Sequence, residues 1–375
     1  MKSIRLILVA LLACSSLSCS LLSNTAQAAL TKVAELPAHT PPGNIAIAPN
    51  GRIFLSVHGF YGPKTKIVEL LPDGKTVAYP NAEWASAPVL SEEGVLTQEG
   101  LNGVLGLNVD HNGILWMLDG ASTEPAPGIN ARLVAWNTQK EALHRVIYLG
   151  FPITRKESFV NDLAIDTKHD AIYITDVASP DTAALIVVDL KTGLARRVLH
   201  GSQYTRPENI DMNINHRVIT LGGKPARIGV NPISIDNKNE WVYFGAMNGE
   251  SIYRVKTTDL LNTSLSQSSL ESKVQRYGNK PISDGITVDN AGNVYVTSIT
   301  DGSIGVVKPS GEYQTLYQDE GISWPDGFAV GPNNQIYFTV NELHLSPVLN
   351  NGKNATKGKF AVYKFDALAP ASTGR

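Results

Sequence analysis

Six segments of this sequence repeat one pattern, and this repeat restricts the fold more than any other feature. Each segment has a polar or small opening residue, an alternating apolar run, a turn with Asp, Asn or Gly, and a second apolar run. In "NDLAIDTKHDAIYIT", β-branched and aromatic residues occupy the alternate positions that are typical of strands. Each segment therefore predicts a β-hairpin. The segments begin at Gly43, Leu105, Asn161, Asn231, Asp284 and Asp326.

Further strand-like stretches follow the hairpins, at Lys66–Tyr79, Ala183–Leu199 and Ser251–Leu261. Two hairpins per repeat make a four-stranded unit, and such units need about 40–50 residues before loops are added. The sequence thus predicts an all-β fold, a six-bladed β-propeller of four-stranded blades. We expect "LTKVAELP" (Leu30–Pro37) to close the ring by adding a strand to the blade that holds "FAVYKFDAL" (Phe360–Leu368).

The N-terminus has the features of an export signal. An apolar run at Ile7–Ala13 is too short to span a bilayer, and "AQA" at Ala26–Ala28 is a small-x-small cleavage site. We predict a signal peptide over residues 1–28 and a secreted or periplasmic mature chain. A lipid-attachment site at "LLAC" (Leu11–Cys14) is the alternative. With cleavage after Ala28, both cysteines of the sequence are removed and no disulfide is expected.

Composition restricts the partners. The formal charge is −2 and 18% of the residues are charged, with no basic stripe and no acidic tail. This charge distribution gives no electrostatic reason to expect binding to nucleic acid or to an anionic membrane surface. No linker and no transmembrane segment stand out, so residues 29–375 are predicted to form one propeller domain that binds a small molecule.

The opening residues of the repeats predict a binding site. In a propeller the first strand of each blade lines the central channel, so the openers lie at the channel mouth. Four of the six carry side-chain oxygens, namely Asn161, Asn231, Asp284 and Asp326. Converging oxygens repel one another unless a cation lies between them, and Ca²⁺ prefers such ligands. We predict a Ca²⁺ site here. The alternative is that each residue only caps a strand entry, because Asn and Asp are common at turns.

The repeats also resemble known propellers. "FVNDLAID", "VNPISID" and "SDGITVDNAGNVYVTS" resemble the six-bladed superfamily of gluconolactonases, senescence-marker proteins and paraoxonases. Over the whole mature chain, the sequence is more similar to the major royal jelly protein and Yellow family. "LGLNVDHNGILWMLDG", "WVYFGAMNGESIYRV" and "WPDGFAVGPNNQIYFTVNEL" follow the pattern of that family in order.

The resemblance implies a cation at the channel mouth. The lactonase relatives hold one divalent ion, usually Ca²⁺, with a Glu, one or two Asn and an Asp. Asn161, Asn231 and Asp284 match the Asn and Asp positions, whereas the Glu position falls on Gly43. Asp326 supplies a carboxylate to the same ring. In the Yellow branch, dopachrome isomerisation, amine or sterol binding and structural roles all occur.

Two classes of function follow. One is an exported, Ca²⁺-dependent hydrolase that acts on a lactone or ester, with the ion polarising a carbonyl. The other is a secreted, non-enzymatic propeller that binds a small ligand. The sequence has no His-Glu-x-x-His, Gly-x-Ser-x-Gly, phosphate-loop or Cys-x-x-Cys motif and assigns no catalytic residue.

Three loops are candidates for the walls of a pocket. The longest insertion, His200–Gly229, is interpreted as a lid over the channel. Ser56–Lys64 and Asn341–Asn354 lie on the first and last blades and could flank the same opening. Their histidines, His58 and His344, are interpreted as surface or packing residues. Four tryptophans are expected to pack between sheets, namely Trp116, Trp136, Trp241 and Trp324.

Overall fold

The computed structural model describes residues 29–121 and 130–374, and these form six four-stranded antiparallel sheets. The first strands of neighbouring blades contact each other in a closed ring around one channel. The predicted six-bladed propeller with four-stranded blades is therefore confirmed. The predicted signal peptide, with both cysteines, lies outside the described residues.

The strands follow one another from the channel outwards in each of the first five blades. In blade one they are Pro42–Ile47, Ile53–Val57, Ile67–Leu70 and Thr76–Ala78. In blade two they are Val104–Val109, Ile114–Asp119, Arg132–Asn137 and Ala142–Tyr148. In blade three they are Val160–Asp166, Ala171–Asp176, Ala184–Asp189 and Ala195–Val198. In blade four they are Val230–Ile235, Trp241–Ala246, Ser251–Lys256 and Gln275–Asn279. In blade five they are Ile286–Val288, Val294–Ser298, Ser303–Val307 and Tyr313–Gln318.

The sixth blade closes the ring with a strand from the other end of the chain. Its first three strands are Pro325–Gly331, Gln335–Val340 and Ala361–Asp366, and its outer strand is Thr31–Glu35. Thr31 pairs with Lys364 and Glu35 pairs with Ala361 in antiparallel register. The predicted strand exchange is thus confirmed.

The remaining elements are short. The helices are Thr257–Leu261 and Gln267–Glu271, with 3₁₀ turns at Gly59–Tyr61, Pro332–Asn334 and Leu343–Leu345. Small hairpins pair Val89–Leu90 with Leu96–Gln98, Asn213–Ile214 with Arg217–Val218, and Thr220–Leu221 with Lys224–Pro225. The prediction of a strand-like stretch through Leu261 is wrong beyond Lys256, where the chain turns into a helix. None of the helices in the two described ranges is long and apolar enough to cross a membrane.

Aspartates at the ends of the first strands explain the turn chemistry of the repeats. Asp166 accepts a hydrogen bond from the Tyr173 hydroxyl (2.8 Å) and Asp289 accepts one from the Tyr295 hydroxyl (2.9 Å). Each also accepts a backbone N–H of its own turn, from His169 and Ala291 respectively. The carboxylate therefore fixes the tight turn and holds the aromatic ring of the next strand in the core.

The last described residues cross the far end of the channel. The Leu368 N–H donates to the Tyr295 hydroxyl (2.6 Å), and the Asn290 N–H donates to the Pro370 carbonyl (2.7 Å). Gly374 then packs on the His111 backbone in blade two, opposite blade five. Ser372 and Gly374 line a channel cavity of about 40 Å³, so this segment covers that end of the channel.

Candidate functional site

The first strands of five blades begin with a β-bulge, and this bulge determines which side chains face the channel mouth. In blade three, Val160 pairs with Asp176 and Leu163 pairs with Ile174, so two residues oppose Thr175 alone. A bulge of this kind redirects side chains at the strand end. The bulge in blade three presents both Asn161 and Asp162 at the mouth. The equivalent irregularities lie at Pro42/Ile45, Val104/Leu107, Val230/Ile233 and Pro325/Phe328.

Hydroxyl side chains on the second strands hold these bulges in place. The Thr175 hydroxyl accepts the Asp162 N–H (3.1 Å) and donates to the carbonyl of Asn231 in blade four (2.9 Å). The Ser56 hydroxyl accepts the Asn44 N–H (2.8 Å) and donates to the carbonyl of Leu105 in blade two (2.8 Å). The same side chain thus satisfies a bulge donor and ties one blade to the next.

Two glycines allow blades five, six and one to approach closely. A Cβ on Gly285 would lie 2.1 Å from the Asp326 carbonyl oxygen, and a Cβ on Gly327 would lie 2.0 Å from Asn44 Oδ1. Both distances are too short for any side chain to fit. The "DG" pairs of blades five and six therefore bring the carboxylates that precede the glycines toward one another.

The structure brings together all four residues that the sequence predicts as metal ligands. Asn161 Nδ2 donates to Asn231 Oδ1 (2.8 Å), and the Asn231 amide lies close enough to the Asp284 carboxylate to lower its pKa. Asp326 lies close enough to Asp284 for their charges to interact. With Asn44 and Asp162, these residues form what we call the polar cluster. A ligand role toward a metal stays a prediction for all four.

Each carboxylate of the polar cluster has a neutral hydrogen-bond donor. Asn44 donates to Asp162 (2.9 Å) and Asn341 donates to Asp326 (2.7 Å). The Trp324 indole donates to Asp284 (2.7 Å). The ion pairs found within residues 29–121 and 130–374 all involve other carboxylates. Within these ranges the carboxyl groups of the cluster therefore have no direct salt-bridge partner, and the Lys280 ammonium acts on Asp284 from a longer distance.

Burial and mutual repulsion raise the pKa values of these carboxyl groups. Burial, with the charge of Asp284 nearby, raises the pKa of Asp162 to about 7. Burial raises the pKa of Asp284 to about 6, against the opposing effects of its hydrogen bonds and of the nearby Lys280 ammonium. The pKa of Asp326 is raised well above its usual value by burial and by Asp284. A positive charge placed among these groups would relieve the repulsion.

The polar cluster surrounds a small cavity that suits a single ion or water molecule. This polar cavity has a volume of about 20 Å³, and about one probe sphere of space is enough for a water. It is lined by Asn44, His58, Leu105, Asn161, Asp162, Asp284 and Asp326.

The residues of the polar cluster fit a hard cation, provided that amide oxygens take part. Carboxylate and amide oxygens are the ligands that Ca²⁺ prefers. Over the described ranges, no group of three or more His, Cys, Asp or Glu could hold a metal ion. A cation here would thus take oxygens from Asn161 or Asn231, or from water, as well as from Asp284 and Asp326. Gly43 offers no replacement for the Glu of the lactonases, because a Cβ there would lie 2.8 Å from Ser56 Oγ.

A larger, mainly apolar cavity opens directly onto the polar cluster. This upper cavity has a volume of about 320 Å³, and it shares His58, Asn161 and Asp284 with the polar cavity. Part of its wall comes from the loops Ser56–Lys64, His200–Gly229 and Asn341–Asn354, and further wall residues, among them Phe159 and Met247, come from blades three and four. The insertion contributes Met212, Leu221, Ala226, Arg227 and Ile228, and the other two loops contribute His58, Phe60, Leu343 and Leu349.

Hydrogen bonds hold these three loops against one another. The Arg217 guanidinium donates to the carbonyls of His344 (2.5 Å) and Leu349 (3.1 Å). The Tyr61 hydroxyl donates to the Asn341 carbonyl (2.6 Å). The expectation that the loops of the first and last blades flank one opening is confirmed. The insertion covers the same opening from the side of blade four.

Trp324 and the two loop histidines have more specific places than the sequence indicated. Trp324 lines the upper cavity at a left-handed φ of 54°, so its interpretation as a sheet-packing residue is wrong. The ring of His344 is buried and stacks on that of Trp324, with the centroids 6.1 Å apart. His58 is buried as well, and its Nδ1 accepts the Phe60 N–H (3.2 Å). Burial lowers the pKa of His58 to about 3, so the ring is neutral and Nε2 carries the proton.

Sequence reasoning missed Asp162, Asn44 and Trp324 as members of the site. The signal for Asp162 was present, because "VND" places two polar residues before the apolar run of blade three. An alignment of the six repeats on a single opening residue per blade assigns only Asn161 of these two residues to the channel mouth. Asn44 occupies the same second position after Gly43. Trp324 precedes Asp326 by two residues in "WPDG", and nothing in its type indicates that it hydrogen-bonds across to blade five.

Comparisons with known proteins agree with this architecture. A sequence model of the family described as major royal jelly protein matches residues 102–364. A luciferin-regenerating enzyme is structurally similar with a TM-score of 0.57 at 12% identity, over 92% of this chain and 98% of that one. A gluconolactonase from Xanthomonas campestris gives a TM-score of 0.56 at 11% identity, over 90% and 89%. The calcium-binding protein regucalcin from Agrobacterium tumefaciens gives 0.55 at 12%, over 93% and 98%. The comparison with curated proteins gives no match.

Proposed function

Because the chain belongs to the major royal jelly protein family, we propose that it is an exported propeller that binds a small organic molecule over a Ca²⁺ ion. The observation that carries this proposal is the ion-sized polar cavity beneath the upper cavity. The larger cavity lies within the usual size range of small-molecule sites and has few polar side chains in its wall. The structural similarity to regucalcin, a calcium-binding protein, supports the choice of ion.

In this proposal the polar cluster holds the ion through Asn161, Asn231, Asp284 and Asp326. A bound Ca²⁺ supplies Lewis acidity that polarises a carbonyl oxygen. The protein's own contribution is to fix the ligands before the ion arrives. The Trp324 indole orients one oxygen of Asp284, and Asn341 orients one oxygen of Asp326.

Calorimetric titration of EDTA-treated protein with Ca²⁺ tests whether the protein binds this ion. We expect saturable binding and a raised melting temperature, because the ion binds only the folded cluster. Asp284→Asn should weaken binding at least tenfold, since it removes a full charge while keeping the shape. Asp73→Asn changes an exposed aspartate in an outer turn of blade one and should bind like the unmodified protein. Absence of binding heat together with an unchanged melting temperature would refute the cation.

Hydrolysis of a lactone or ester is a second candidate function, and one observation favours it. The Asp162 carboxyl has a pKa of about 7 and lines the polar cavity, so it can exchange a proton near neutral pH. A gluconolactonase is among the structural neighbours. We expect slow turnover in a pH-stat assay with a panel of γ- and δ-lactones. Asp162→Asn should reduce kcat at least a hundredfold and leave ligand affinity within threefold. Absence of turnover on the whole panel would favour the non-enzymatic binding propeller.

Export is the remaining part of the proposal. It is supported by the apolar run at Ile7–Ala13 and the "AQA" site at Ala26–Ala28. N-terminal sequencing of protein from the medium or periplasm should give a chain that starts at Ala29. A lipid-modified Cys14 at the N-terminus would establish the alternative cleavage site.

A further inference from the structure

The walls of the upper cavity restrict the kind of molecule that it accepts. We propose that the ligand is an uncharged lipophilic molecule that ends in one carbonyl or hydroxyl oxygen, and not a sugar acid or a sugar lactone. This inference rests on the proposed function, because it places the oxygen end of the ligand at the cation of the polar cluster.

The first argument is the scarcity of hydrogen-bonding groups along the walls. Apolar side chains surround most of the upper cavity, and the polar side chains are confined to its two ends. A polyol placed here would leave several hydroxyls without partners, and each buried, unpaired hydroxyl costs about 1–3 kcal/mol. A hydrocarbon chain in the same position has no hydrogen-bonding group that could be left unpaired. The apolar lining includes Phe60, Phe159, Met212, Met247, Leu343 and Leu349.

The second argument is charge. Arg227 is the single cationic residue among the described lining residues, and it already pairs with Asp211 (2.6 Å) at the rim. At the other end Asp162, Asp284 and Asp326 line the polar cavity, and three carboxylates around one divalent cation leave no net positive charge to attract an anionic ligand. A ligand ammonium group would have to displace the cation of the proposed function. An uncharged ligand avoids both conflicts.

The third argument is the donor at the inner end of the upper cavity. Since His58 Nδ1 accepts the Phe60 N–H, the proton of this neutral ring is on Nε2. His58 lines both the upper cavity and the polar cavity. An N–H at this position can donate to one carbonyl or hydroxyl oxygen of a ligand whose body lies against the apolar walls.

A homologous series of δ-lactones with alkyl tails tests the proposal. We expect the affinity for the protein in Ca²⁺ buffer to rise about threefold to fourfold per added methylene, until the cavity is filled. Decanoate and decylammonium should each bind at least tenfold more weakly than the alkyl δ-lactone with the same number of carbons. Glucono-δ-lactone should bind at least tenfold more weakly than the alkyl δ-lactones. Trp324 lies in the cavity wall, so quenching of tryptophan fluorescence can report binding.

Matched leucine substitutions connect the binding to this cavity. Leu349→Gln places an amide in the wall and should weaken lactone binding at least fivefold while leaving the Ca²⁺ titration unchanged. Leu194→Gln makes the same change at a side chain that is 72% exposed in an outer turn of blade three, and it should have no effect. Met247→Gln, at another wall position, repeats the test if Leu349→Gln does not fold.

The outcomes separate this inference from the proposed function. An affinity that does not depend on tail length, or tighter binding of decanoate, decylammonium or glucono-δ-lactone, would overturn the ligand class. If the tail-length dependence holds but Ca²⁺ does not bind, the ligand class is supported and the cation is wrong. If Ca²⁺ binds and the affinity for the lactones does not change with tail length, the proposed cation site is supported and the proposed ligand class is wrong.

Discussion

Asp162 and Asp284 each make the stability of the cation-free protein depend on pH. Their native pKa values, about 7 and about 6, lie above the usual value of 3.8. These two carboxyl groups therefore bind more protons in the folded state than in the unfolded state between about pH 4 and pH 7, whereas His58, whose pKa burial lowers to about 3, acts in the opposite direction. The stabilisation from these two groups is complete below that window and is lost as the pH rises through it. Because each pKa unit corresponds to about 1.4 kcal/mol, the combined change is on the order of several kcal/mol.

Asp162→Asn should stabilise the cation-free protein at pH 7.5 by about 1–3 kcal/mol. The amide keeps an acceptor oxygen for Asn44 and removes the buried charge. At pH 4.5 most of the difference should be lost, because the carboxyl is then protonated in the folded state. Urea unfolding in EDTA at both pH values measures the effect. Asp181→Asn, at a side chain that is 85% exposed, should change neither value. A loss of stability at pH 7.5 would show that the native protein needs this charge.

The site could be predicted only in part at the residue scale, and Asn161 and Asp162 show why. The polar opener before an alternating run is visible in the sequence, and it located Asn161, Asn231, Asp284 and Asp326. A β-bulge inserts one extra residue without disturbing the alternation that follows it, so its second residue is assigned to no face. The neighbours of Asp162 across the channel come from other blades, and the spacing between blades does not reveal them.

Hydrogen bonds and apolar contacts together hold the insertion His200–Gly229 over the channel. Arg217 donates two of these hydrogen bonds, to the carbonyls of His344 and Leu349. Both carbonyls lie on the loop that also supplies wall residues of the upper cavity. Met212 and Ile219 pack with Leu343 and Leu349 in the same apolar cluster. Movement of the insertion would therefore change the shape of the upper cavity.

Arg217→Ala should loosen the insertion without unfolding the blades. Hydrogen bonds from a charged donor contribute about 1.5–3 kcal/mol each, so local opening should become at least tenfold more frequent. Hydrogen exchange should speed up in residues 210–228 and stay unchanged in the blade strands. Arg276→Ala removes an arginine from the outer strand of blade four, where it bonds to Ser251, and serves as the control. Equal exchange in the two variants would show that the apolar contacts alone hold the insertion.

At the element scale, alternation predicted most strands and failed where a short helix follows one. Ser251–Lys256 is a strand as expected, but Thr257–Leu261 turns into a helix. Five residues with two buried side chains fit either a strand or one helical turn. The buried Thr257 hydroxyl donates to the Asn239 carbonyl (2.8 Å), which fixes the turn at the edge of the blade. That contact is tertiary and has no signal in the local sequence.

At the scale of the whole molecule, the channel is a series of three spaces with different chemistry. The upper cavity is apolar, the polar cavity beneath it is oxygen-lined, and the channel cavity follows. Asn44 and Asp162 line both of the last two spaces. Because Ser372 and Gly374 cover the far end, a ligand as large as the upper cavity would reach the polar cluster from the side of the loops.

Closure of the ring joins the two ends of the chain, so one residue near the start should affect the stability of the entire propeller. Leu36 is buried beside Phe360 and Val362, and its N–H donates to the Phe360 carbonyl (2.8 Å). Leu36→Ala should lower the free energy of unfolding by about 2–5 kcal/mol through the cavity that it creates. Unfolding should remain a single transition, because the outer strand of blade six holds the last blade to the ring. Val33→Ala, at an exposed position in the same strand, should cost less than about 1 kcal/mol. Equal losses in the two variants, measured by urea unfolding in Ca²⁺ buffer, would show that the packing of Leu36 is not what secures the closure.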